Sequence, residues 1–341
     1  MLPKVGTKEW EQEVKFYHNS TREERTKRAK ELGYYNRDSY QTQMTKQGIL
    51  LKADNPPIAT DYKLPPDSTW EEHLKAIKQL SKLTAFHEQV PNELTIKIDT
   101  DLPVALTFTA DWQIGQFGVD YEAFEKDINF LSKQAGFKVH VGGDGYENMI
   151  QASKVGSSQN QIPVAVQRGL YYLSIKKLIT RILTLGTGNH NYWAKLATGE
   201  DWDGEMAKRL ELLYIKHYAL VHLWIGKQEY PYLVMHKGRF NSAFNLTHAA
   251  KQYQRLHFPQ ARIVDIEHQH VAAIEQYRYD GKECLAIRPG TYSVYDDYAQ
   301  QNGFFGAHVE NPTAVLFPDR DKLVGFKDMR DAAIYLKEVR K

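Results

Sequence analysis

Residues 104–113 read VALTFTADWQ, and residues 137–144 read FKVHVGGD. Each segment is a mostly apolar run, and the runs end at Asp111 and Asp144. A helical pattern over Tyr121–Gln134 separates them, so that a strand, a helix and a second strand follow in order. This alternation predicts an α/β fold with parallel strands, in which functional side chains collect beyond the carboxyl ends of the strands.

The alternation extends on both sides of this stretch. Residues 94–98 alternate like a half-buried strand,. A helical pattern over Val164–Ile179 precedes the strand pattern RILTLGTGNH at residues 181–190. After residue 230 strand patterns prevail, and Asp280-Gly281 between two of them predicts a β-hairpin,.

Five short segments carry the residue types of a metal centre, and each follows a strand pattern. In chain order they are Asp111-Trp112-Gln113, Gly143-Asp144, Gly188-Asn189-His190, Met235-His236 and His268-Gln269-His270. Carboxylate and amide oxygens and imidazole nitrogens suit Mn, Fe, Zn or Mg. By itself His236 is typical of a core histidine, whereas His268 and His270 share one face of a strand and favour a metal.

The order and spacing of these segments resemble the calcineurin-like metallophosphoesterase family over roughly residues 103–292,. The motifs of that family are Asp-x-His, Gly-Asp, Gly-Asn-His, a lone His and His-x-His. Here Pro289-Gly290-Thr291 also resembles the Pro-Gly-Ser that often follows the last motif. The resemblance implies a four-layer αββα sandwich that hydrolyses phosphoesters. It also implies two divalent metal ions, Mn above all, with Mg, Zn, Fe and Ni as alternatives.

By position, the resemblance assigns a role to each of these side chains. The implied metal ligands are Asp111, Gln113, Asp144, Asn189, His236, His268 and His270. Asp111 and His270 would bind the first metal, Asp144 would bridge both, and Asn189 and the other two histidines would bind the second. As catalytic residues, His190 would contact the phosphate and protonate the leaving group, and Asn189 would steady the phosphoryl oxygens.

Two positions depart from the family pattern. Gln113 stands where the first motif usually has histidine. An amide oxygen is a neutral, harder and weaker donor than imidazole, so we expect a first metal site that is weak, shifted toward Mn or Mg, or filled only with substrate. Glu267 stands where the last motif usually begins with glycine, and the sequence offers no reason for this change.

Other residues near the motifs have two interpretations each. Arg239 and Arg288 are candidates for binding the substrate phosphate, with surface salt bridges as the alternative. Aromatic residues beside the motifs could stack on a base, but a place in the core is more typical of them. They are Trp112, Tyr146, Tyr192 and Trp193.

Residues 1–50 predict a small helical module. Thr21 and Glu24 have capping-box spacing, Gly33 suits the end of that helix, and Asn36 can cap the next. The spacing resembles a helix-turn-helix, and an equally good interpretation is a helical cap with a solvated polar face. The candidate DNA-binding residues lie on the third helix and are Arg37, Gln41, Gln43 and Lys46,.

Residues 51–92 predict a linker and a connecting helix. Pro56-Pro57 and Pro65-Pro66 indicate a semi-rigid segment, and Thr69 with Glu72 forms a second capping-box pattern. The metallophosphoesterase domain would then cover residues 93–341 of the 341-residue chain. Its length is ample for a sizeable core.

Charge favours a polyanionic partner at the front of the chain. Residues 1–52 contain 11 Lys or Arg against 7 Asp or Glu, a balance of +4, whereas the whole chain carries +2,. The one cysteine, Cys284, excludes an intramolecular disulfide, and no apolar run suits a membrane helix,. These features predict a soluble cytoplasmic protein. Its size, front module and Asp-x-Gln variant resemble phage-encoded phosphoesterases, for which the location would be the host cytoplasm.

The favoured function is therefore a phosphodiesterase or nuclease that acts on DNA by two-metal hydrolysis. One alternative is a phosphomonoesterase or small-nucleotide phosphodiesterase, in which the front module only covers the site or dimerises. The other is a DNA-binding protein whose phosphoesterase domain is inactive. Fold by itself does not separate these three functions.

Overall fold

The computed structural model describes the chain apart from residues 50–68, 89–91, 149, 151–161, 296–299, 302 and 304–305. The predicted linker prolines lie outside the described residues. The described helices are α1 (Lys8–Asn19), α2 (Arg22–Glu31), α3 (Arg37–Lys46), α4 (Trp70–Glu88), α5 (Tyr121–Lys133), α6 (Val164–Leu178), α7 (Asn189–Thr198), α8 (Trp202–Arg209), α9 (His248–Leu256) and α10 (Met329–Val339). The chain divides into two compact units, Met1–Phe86 and His87–Lys341.

The helices of the first unit begin where the sequence predicts caps. Thr21 and Glu24 form both hydrogen bonds of a capping box at α2, and the Asn36 side chain accepts from Ser39 N–H at α3. At α4, Thr69 N–H donates to Glu72, and Glu72 N–H donates back to the Thr69 hydroxyl. The predicted helices are confirmed, and the helix-turn-helix function of α2 and α3 stays a prediction.

A small core joins α1, α2 and α3. Its buried members are Trp10, Tyr17, Ala29, Tyr40 and Met44. Glu13 is buried beside them, where it pairs with Arg28 at 2.6 Å and accepts a hydrogen bond from the Tyr40 hydroxyl. A buried carboxylate is tolerated here because both of its partners satisfy it. Tyr40 and Met44 of α3 thus serve packing, whereas Lys46 of the same helix is exposed.

The second unit contains two six-stranded sheets. Its strands are β1 (Glu93–Ile98), β2 (Val104–Thr109), β3 (Phe137–Val141), β4 (Ile182–Gly186), β5 (Tyr214–Lys216), β6 (Tyr218–Ile225), β7 (Gln228–Met235), β8 (Ile263–Ile266), β9 (Ala273–Tyr279), β10 (Lys282–Arg288), β11 (Thr313–Leu316) and β12 (Leu323–Phe326). The first sheet has the order β1-β6-β7-β8-β10-β9, and the second has the order β12-β11-β2-β3-β4-β5. Strands β2, β3 and β4 are mutually parallel, and so are β7, β8 and β10.

Three apolar clusters show how the layers stack. Side chains such as Phe108 of β2 and Val221 of β6 fill the space between the sheets. On the outer side of the second sheet, Ile128 of α5 packs in a cluster with side chains of α6, α10 and that sheet. On the outer side of the first sheet, Ala250 of α9 packs against Val264 of β8. The result is a mixed α/β arrangement of two sheets between helices, consistent with the predicted αββα sandwich.

The strand and helix patterns of the second unit are confirmed with ends shifted by a few residues. The predicted hairpin is present as β9 and β10, paired antiparallel from Tyr279 and Lys282 onward. Asp280 and Gly281 both have positive φ, 49° and 73°, as a tight two-residue turn requires,. No helix among the described residues has the length and apolar character needed to cross a membrane.

Candidate metal centre

The predicted site residues meet where strand ends of the two sheets come together. Asp111 follows β2, Asp144 follows β3 and Asn189 opens α7 after β4, all from the second sheet. His236 follows β7 and His268 follows β8, both from the first sheet. Because β2, β3 and β4 are parallel, as are β7 and β8, their carboxyl ends lie at one edge of each sheet,.

Acidic and imidazole atoms converge at this edge. One ligand atom from each of Asp111, Asp144, His236 and His268 lies within 4.8 Å of the others. His236 Nε2 is 3.0 Å from Asp144 Oδ2 and 3.2 Å from the side-chain oxygen of Asn189. The structure thus brings together the bridging residue and the second-metal ligands of the sequence prediction.

The first-metal residues lie alongside. His270 Nε2 is 3.3 Å from Asp111 Oδ1 and 3.4 Å from the Gln113 side-chain nitrogen. Gln113 therefore lies beside His270 at this side of the cluster. All seven predicted ligands are close in space, and their role as ligands stays a prediction.

Buried polar atoms without good hydrogen bonds test whether this site suits a metal. Four atoms of the predicted ligand set are buried without a hydrogen bond of good geometry: Asp111 Oδ1, Gln113 Oε1, Asp144 Oδ2 and His268 Nδ1. Two of them face imidazole nitrogens, Asp144 Oδ2 that of His236 at 3.0 Å and Asp111 Oδ1 that of His270 at 3.3 Å. Each unsatisfied buried group costs about 1–3 kcal/mol, so such atoms are rare in folded proteins. Bound cations would satisfy these lone pairs, and the donor set therefore fits divalent metals.

Backbone conformation at the site is strained. Asp111, Gln113, Asp144, His268 and His270 have φ of 51°, 50°, 53°, 74° and 59°, in the left-handed region. Such conformations cost about 1–3 kcal/mol each for residues other than glycine, and they persist where the surroundings enforce them. Five predicted ligands in this state indicate that the surrounding fold fixes the directions of their side chains.

Electrostatics favours the ligand form of Asp144 and His268, whereas for His236 the surrounding carboxylates outweigh burial and raise the pKa. Burial by itself would raise the pKa of Asp144, but the nearby His190 and His236 lower it well below its usual range. Burial, followed by the charge of His236, lowers the pKa of His268 to about 4, so its imidazole is neutral near pH 7. A carboxylate and a neutral imidazole are the forms that bind metal.

Two glycines of the motifs leave no room for a side chain. A Cβ at Gly143 would lie 2.5 Å from His236 Nδ1, and one at Gly188 would lie 1.8 Å from Asp144 Oδ1. Glycine is therefore required at 143 because the Gly188 backbone and the His236 ring approach it equally closely, and at 188 because Asp144 lies directly over it. The Gly-Asp and Gly-Asn-His motifs owe their glycines to this close approach.

His190 is held at the rim of the cluster by three contacts. Its backbone N–H donates to Asp144 Oδ1 at 3.0 Å, and its Nδ1–H donates to the Glu147 carbonyl at 2.7 Å. Its ring stacks on Trp193, with centroids 5.4 Å apart. Nε2 is left as the atom that can exchange a proton with a substrate, 3.8 Å from Asp144 Oδ2.

Glu267 is a site residue whose role sequence reasoning missed. Its carboxylate contacts His140, Gly143 and His236, and it is 2% exposed. Burial opposes its ionisation, but the hydrogen bonds from His140 and His236 lower the pKa of Glu267 to about 2. The signal available in the sequence was its departure from the glycine of the family motif.

The two arginine candidates lie in different surroundings. Arg288 is buried, donates to the Leu246 carbonyl at 3.2 Å and has a buried Nε without a hydrogen-bond partner. Burial lowers the pKa of Arg288 to about 10, and Asp111 acts against this shift. Arg239 is exposed, and its backbone N–H donates to the Tyr253 hydroxyl. Arg288 is therefore the stronger candidate for a substrate phosphate.

The aromatic residues beside the motifs divide in the same way. Trp112 and Tyr146 are fully buried in the core, as expected. For Tyr192 the expectation of a core position is wrong, because its side chain is 39% exposed and meets His217 edge-on. The cause is its place on the outer face of α7, which the local sequence does not reveal.

Three solved structures are distantly similar to this chain. A conserved uncharacterised protein of Streptococcus pneumoniae, described as a predicted phosphoesterase, shares 13% identity over 67% of this chain and 91% of that one, with a TM-score of 0.33. A protein serine/threonine phosphatase of Saccharomyces cerevisiae shares 12% identity over 75% of this chain and 89% of that one, with a TM-score of 0.35. A Pseudomonas putida nuclease shares 10% identity over 65% of this chain and 87% of that one, with a TM-score of 0.30. No family model and no curated protein matches the sequence.

Proposed function

We propose that this protein is a metal-dependent phosphoesterase whose substrates are phosphodiesters, DNA above all. The observation that carries the proposal is the group of buried ligand atoms without hydrogen bonds of good geometry, contributed by Asp111, Gln113, Asp144 and His268. Strained backbone at the same residues adds to it. Two destabilising features at one point are expected where something binds and offsets them.

The proposed centre holds two divalent ions. Asp111, Gln113 and His270 would hold the first, Asn189, His236 and His268 the second, and Asp144 both. Carboxylate and amide oxygens suit Mn or Mg, and imidazoles suit Zn, Fe or Ni; among these ions we propose Mn. Bound ions of this kind activate water near neutral pH and polarise phosphoryl oxygens.

Groups around the ligands would bind the phosphoryl group and protonate the leaving oxygen. His190 Nε2 is directed away from the Glu147 carbonyl, so a proton there can pass to the leaving oxygen,. The N-terminus of α7, at Gly188 and Asn189, adds the favourable field of a helix dipole for a phosphoryl group,. Arg288 would supply a fixed positive charge from its buried position,.

A substrate panel tests this proposal. We expect the full chain, with Mn supplied, to hydrolyse bis-p-nitrophenyl phosphate faster than p-nitrophenyl phosphate and to cleave single- or double-stranded DNA. Extensive chelation should remove all three activities, and Mn should restore them. Preference for the monoester would favour the phosphomonoesterase alternative, and tight metal binding without any turnover would favour the inactive DNA-binding alternative.

We further propose that the front module supplies affinity for nucleic acid. The support is the +4 balance over residues 1–52 and the exposed position of Lys46 on α3. Arg37 pairs with Asp38 at 2.7 Å, so its guanidinium is partly engaged already. Gln41 and Gln43 lie half-buried on the same helix.

Arg37→Ala with Lys46→Ala in the full chain should weaken duplex DNA binding. For each phosphate that the variant no longer neutralises, the slope of log affinity against log salt should fall by about one. The slope is measured by fluorescence anisotropy at several salt concentrations, beside hydrolysis of the chromogenic diester, which should be unchanged. The control replaces two exposed lysines of the second unit, Lys126 and Lys337. Equal slopes for both double variants and the parent would contradict a DNA-binding role for α3.

A further inference from the structure

The carboxylate of Glu267 ties strand ends of the two sheets together. Oε2 accepts two hydrogen bonds, from Gly143 N–H at 2.8 Å and from His236 Nδ1–H at 2.9 Å. Oε1 accepts a third from His140 Nε2–H at 3.0 Å. Glu267 follows β8 of the first sheet, whereas Gly143 and His140 belong to β3 of the second sheet and the turn after it.

These bonds decide which nitrogen of His236 is available to a metal. A carboxylate only accepts hydrogen bonds, so Nδ1 of His236 must carry a proton where it meets Glu267. Whenever the ring is neutral, as a metal ligand must be, its lone pair is therefore at Nε2. That atom faces Asp144 Oδ2 at 3.0 Å and the Asn189 oxygen at 3.2 Å, which are the neighbouring ligand atoms of the proposed second metal.

His140, which donates to Glu267, is itself held in place by further hydrogen bonds. His140 Nδ1 lies 2.8 Å from the Thr184 hydroxyl, which lies 3.2 Å from the Tyr232 hydroxyl. All three side chains are buried between the sheets. The orientation of His236 is thus set by a hydrogen-bonded chain that begins in the interior and ends at the metal ligands.

The space that Glu267 occupies exists because residue 142 is glycine. A Cβ at Gly142 would lie 1.9 Å from Glu267 Oε1, and its three nearest heavy atoms would all belong to the Glu267 side chain. The φ of Gly142 is outside the left-handed region, so an alanine there would clash with the Glu267 carboxylate without straining the backbone. Gly142 and Glu267 therefore depend on each other.

We infer that Glu267 is a positioning residue of the metal centre, which fixes the tautomer and direction of His236 within the pocket that Gly142 leaves open. The inference rests on the proposed metal-dependent function. Partners of this kind typically change metal affinity by about 10–100-fold when removed. The inference explains why a carboxylate stands at position 267, where the last motif of the calcineurin-like family usually begins with glycine.

Manganese affinity of the full chain, measured by isothermal titration calorimetry, tests the inference. Glu267→Ala should weaken the metal site that contains His236 by about 10–100-fold. Glu267→Gln should lose much less, because its amide oxygen can accept from His236 and Gly143. Its NH₂ can donate to His140 Nε2 once the His140 proton moves to Nδ1, where the Thr184 hydroxyl can accept it. Glu275→Gln is the matched control, since that carboxylate contacts Lys251 and Thr247. It should bind manganese like the parent.

A double-mutant cycle guards against a trivial folding defect. Gly142→Ala should displace the Glu267 carboxylate and weaken manganese binding by itself. In the Glu267→Ala background the same change should cost little, because the new methyl group enters the space that the carboxylate left. Coupled effects of this kind reveal direct contact, whereas independent sites add. Thermal unfolding in chelator reports the stability of each variant separately from its metal affinity.

Three outcomes would overturn the inference. They are parent-like manganese affinity in Glu267→Ala, equal losses in Glu267→Ala and Glu267→Gln, or additive effects of Gly142→Ala and Glu267→Ala. Any of these with a parent chain that binds manganese leaves the proposed function standing. If the parent itself binds no divalent metal and hydrolyses no phosphoester, the proposed function fails and takes the role of Glu267 with it.

Discussion

Asp144→Asn should remove bound metal and phosphoester hydrolysis together. The side chain is fully buried, its Oδ2 makes no hydrogen bond of good geometry, and it lies between His190 and His236. Asparagine keeps the shape and can still accept the His190 N–H bond, but it lacks the charge that offsets two close cations. We expect a loss of about 10³-fold or more in kcat/KM, corresponding to about 4 kcal/mol of transition-state stabilisation.

Metal content by elemental analysis and kcat/KM on the chromogenic diester provide the measurement. Asp127→Asn is the matched control, because Asp127 is equally buried in the second unit but contacts Tyr292, Asn311 and Arg330. That variant should lose stability and keep its metal. Full activity in Asp144→Asn would remove the basis of the proposed metal centre.

His190→Ala should retain metal and lose about 10²–10⁴-fold in kcat, the usual contribution of a general acid. The ring is positioned by Glu147 and Trp193, which leaves Nε2 3.8 Å from Asp144 Oδ2. The loss should shrink as the leaving group improves, since a good leaving group needs no proton. A series of aryl phosphodiesters of graded leaving-group pKa measures this dependence.

His222→Gln supplies the control for His190. His222 lies on β6, where it contacts Glu93 and Glu229, and its replacement should leave kcat and the leaving-group dependence unchanged. If the His190 variant lost metal, the residue would be a ligand instead of an acid. An equal rate loss across the whole leaving-group series would contradict the proton-transfer role.

Local pattern was sufficient for most elements of this chain. Capping boxes at Thr21 and Thr69, the Asp280-Gly281 turn and the apolar runs before Asp111 and Asp144 all lie where the structure has the corresponding starts, turns and strands. Such signals act within a few residues, through caps, side-chain alternation and turn chemistry. They need no knowledge of what packs against them.

The same local patterns were insufficient for single side chains at the site. Tyr192 was expected in the core and is 39% exposed. The sequence offered no reason for a glutamate at position 267, because its partner His140 lies 127 residues away in the chain. The sequence also does not predict the positive φ of Gln113 and His270, because contacts with the surrounding fold impose it.

By itself the sequence determined the order of strands and helices, and it named seven side chains that could share a metal centre through their resemblance to a family pattern. Only the tertiary structure decided how those side chains meet. The reason is physical: ligands from β2, β3 and β4 approach those from β7 and β8 only after two sheets pack face to face across a common core. The contacts of Glu267 with Gly142 and His236 form only where the two sheets meet, so the sequence alone does not show that these residues depend on one another.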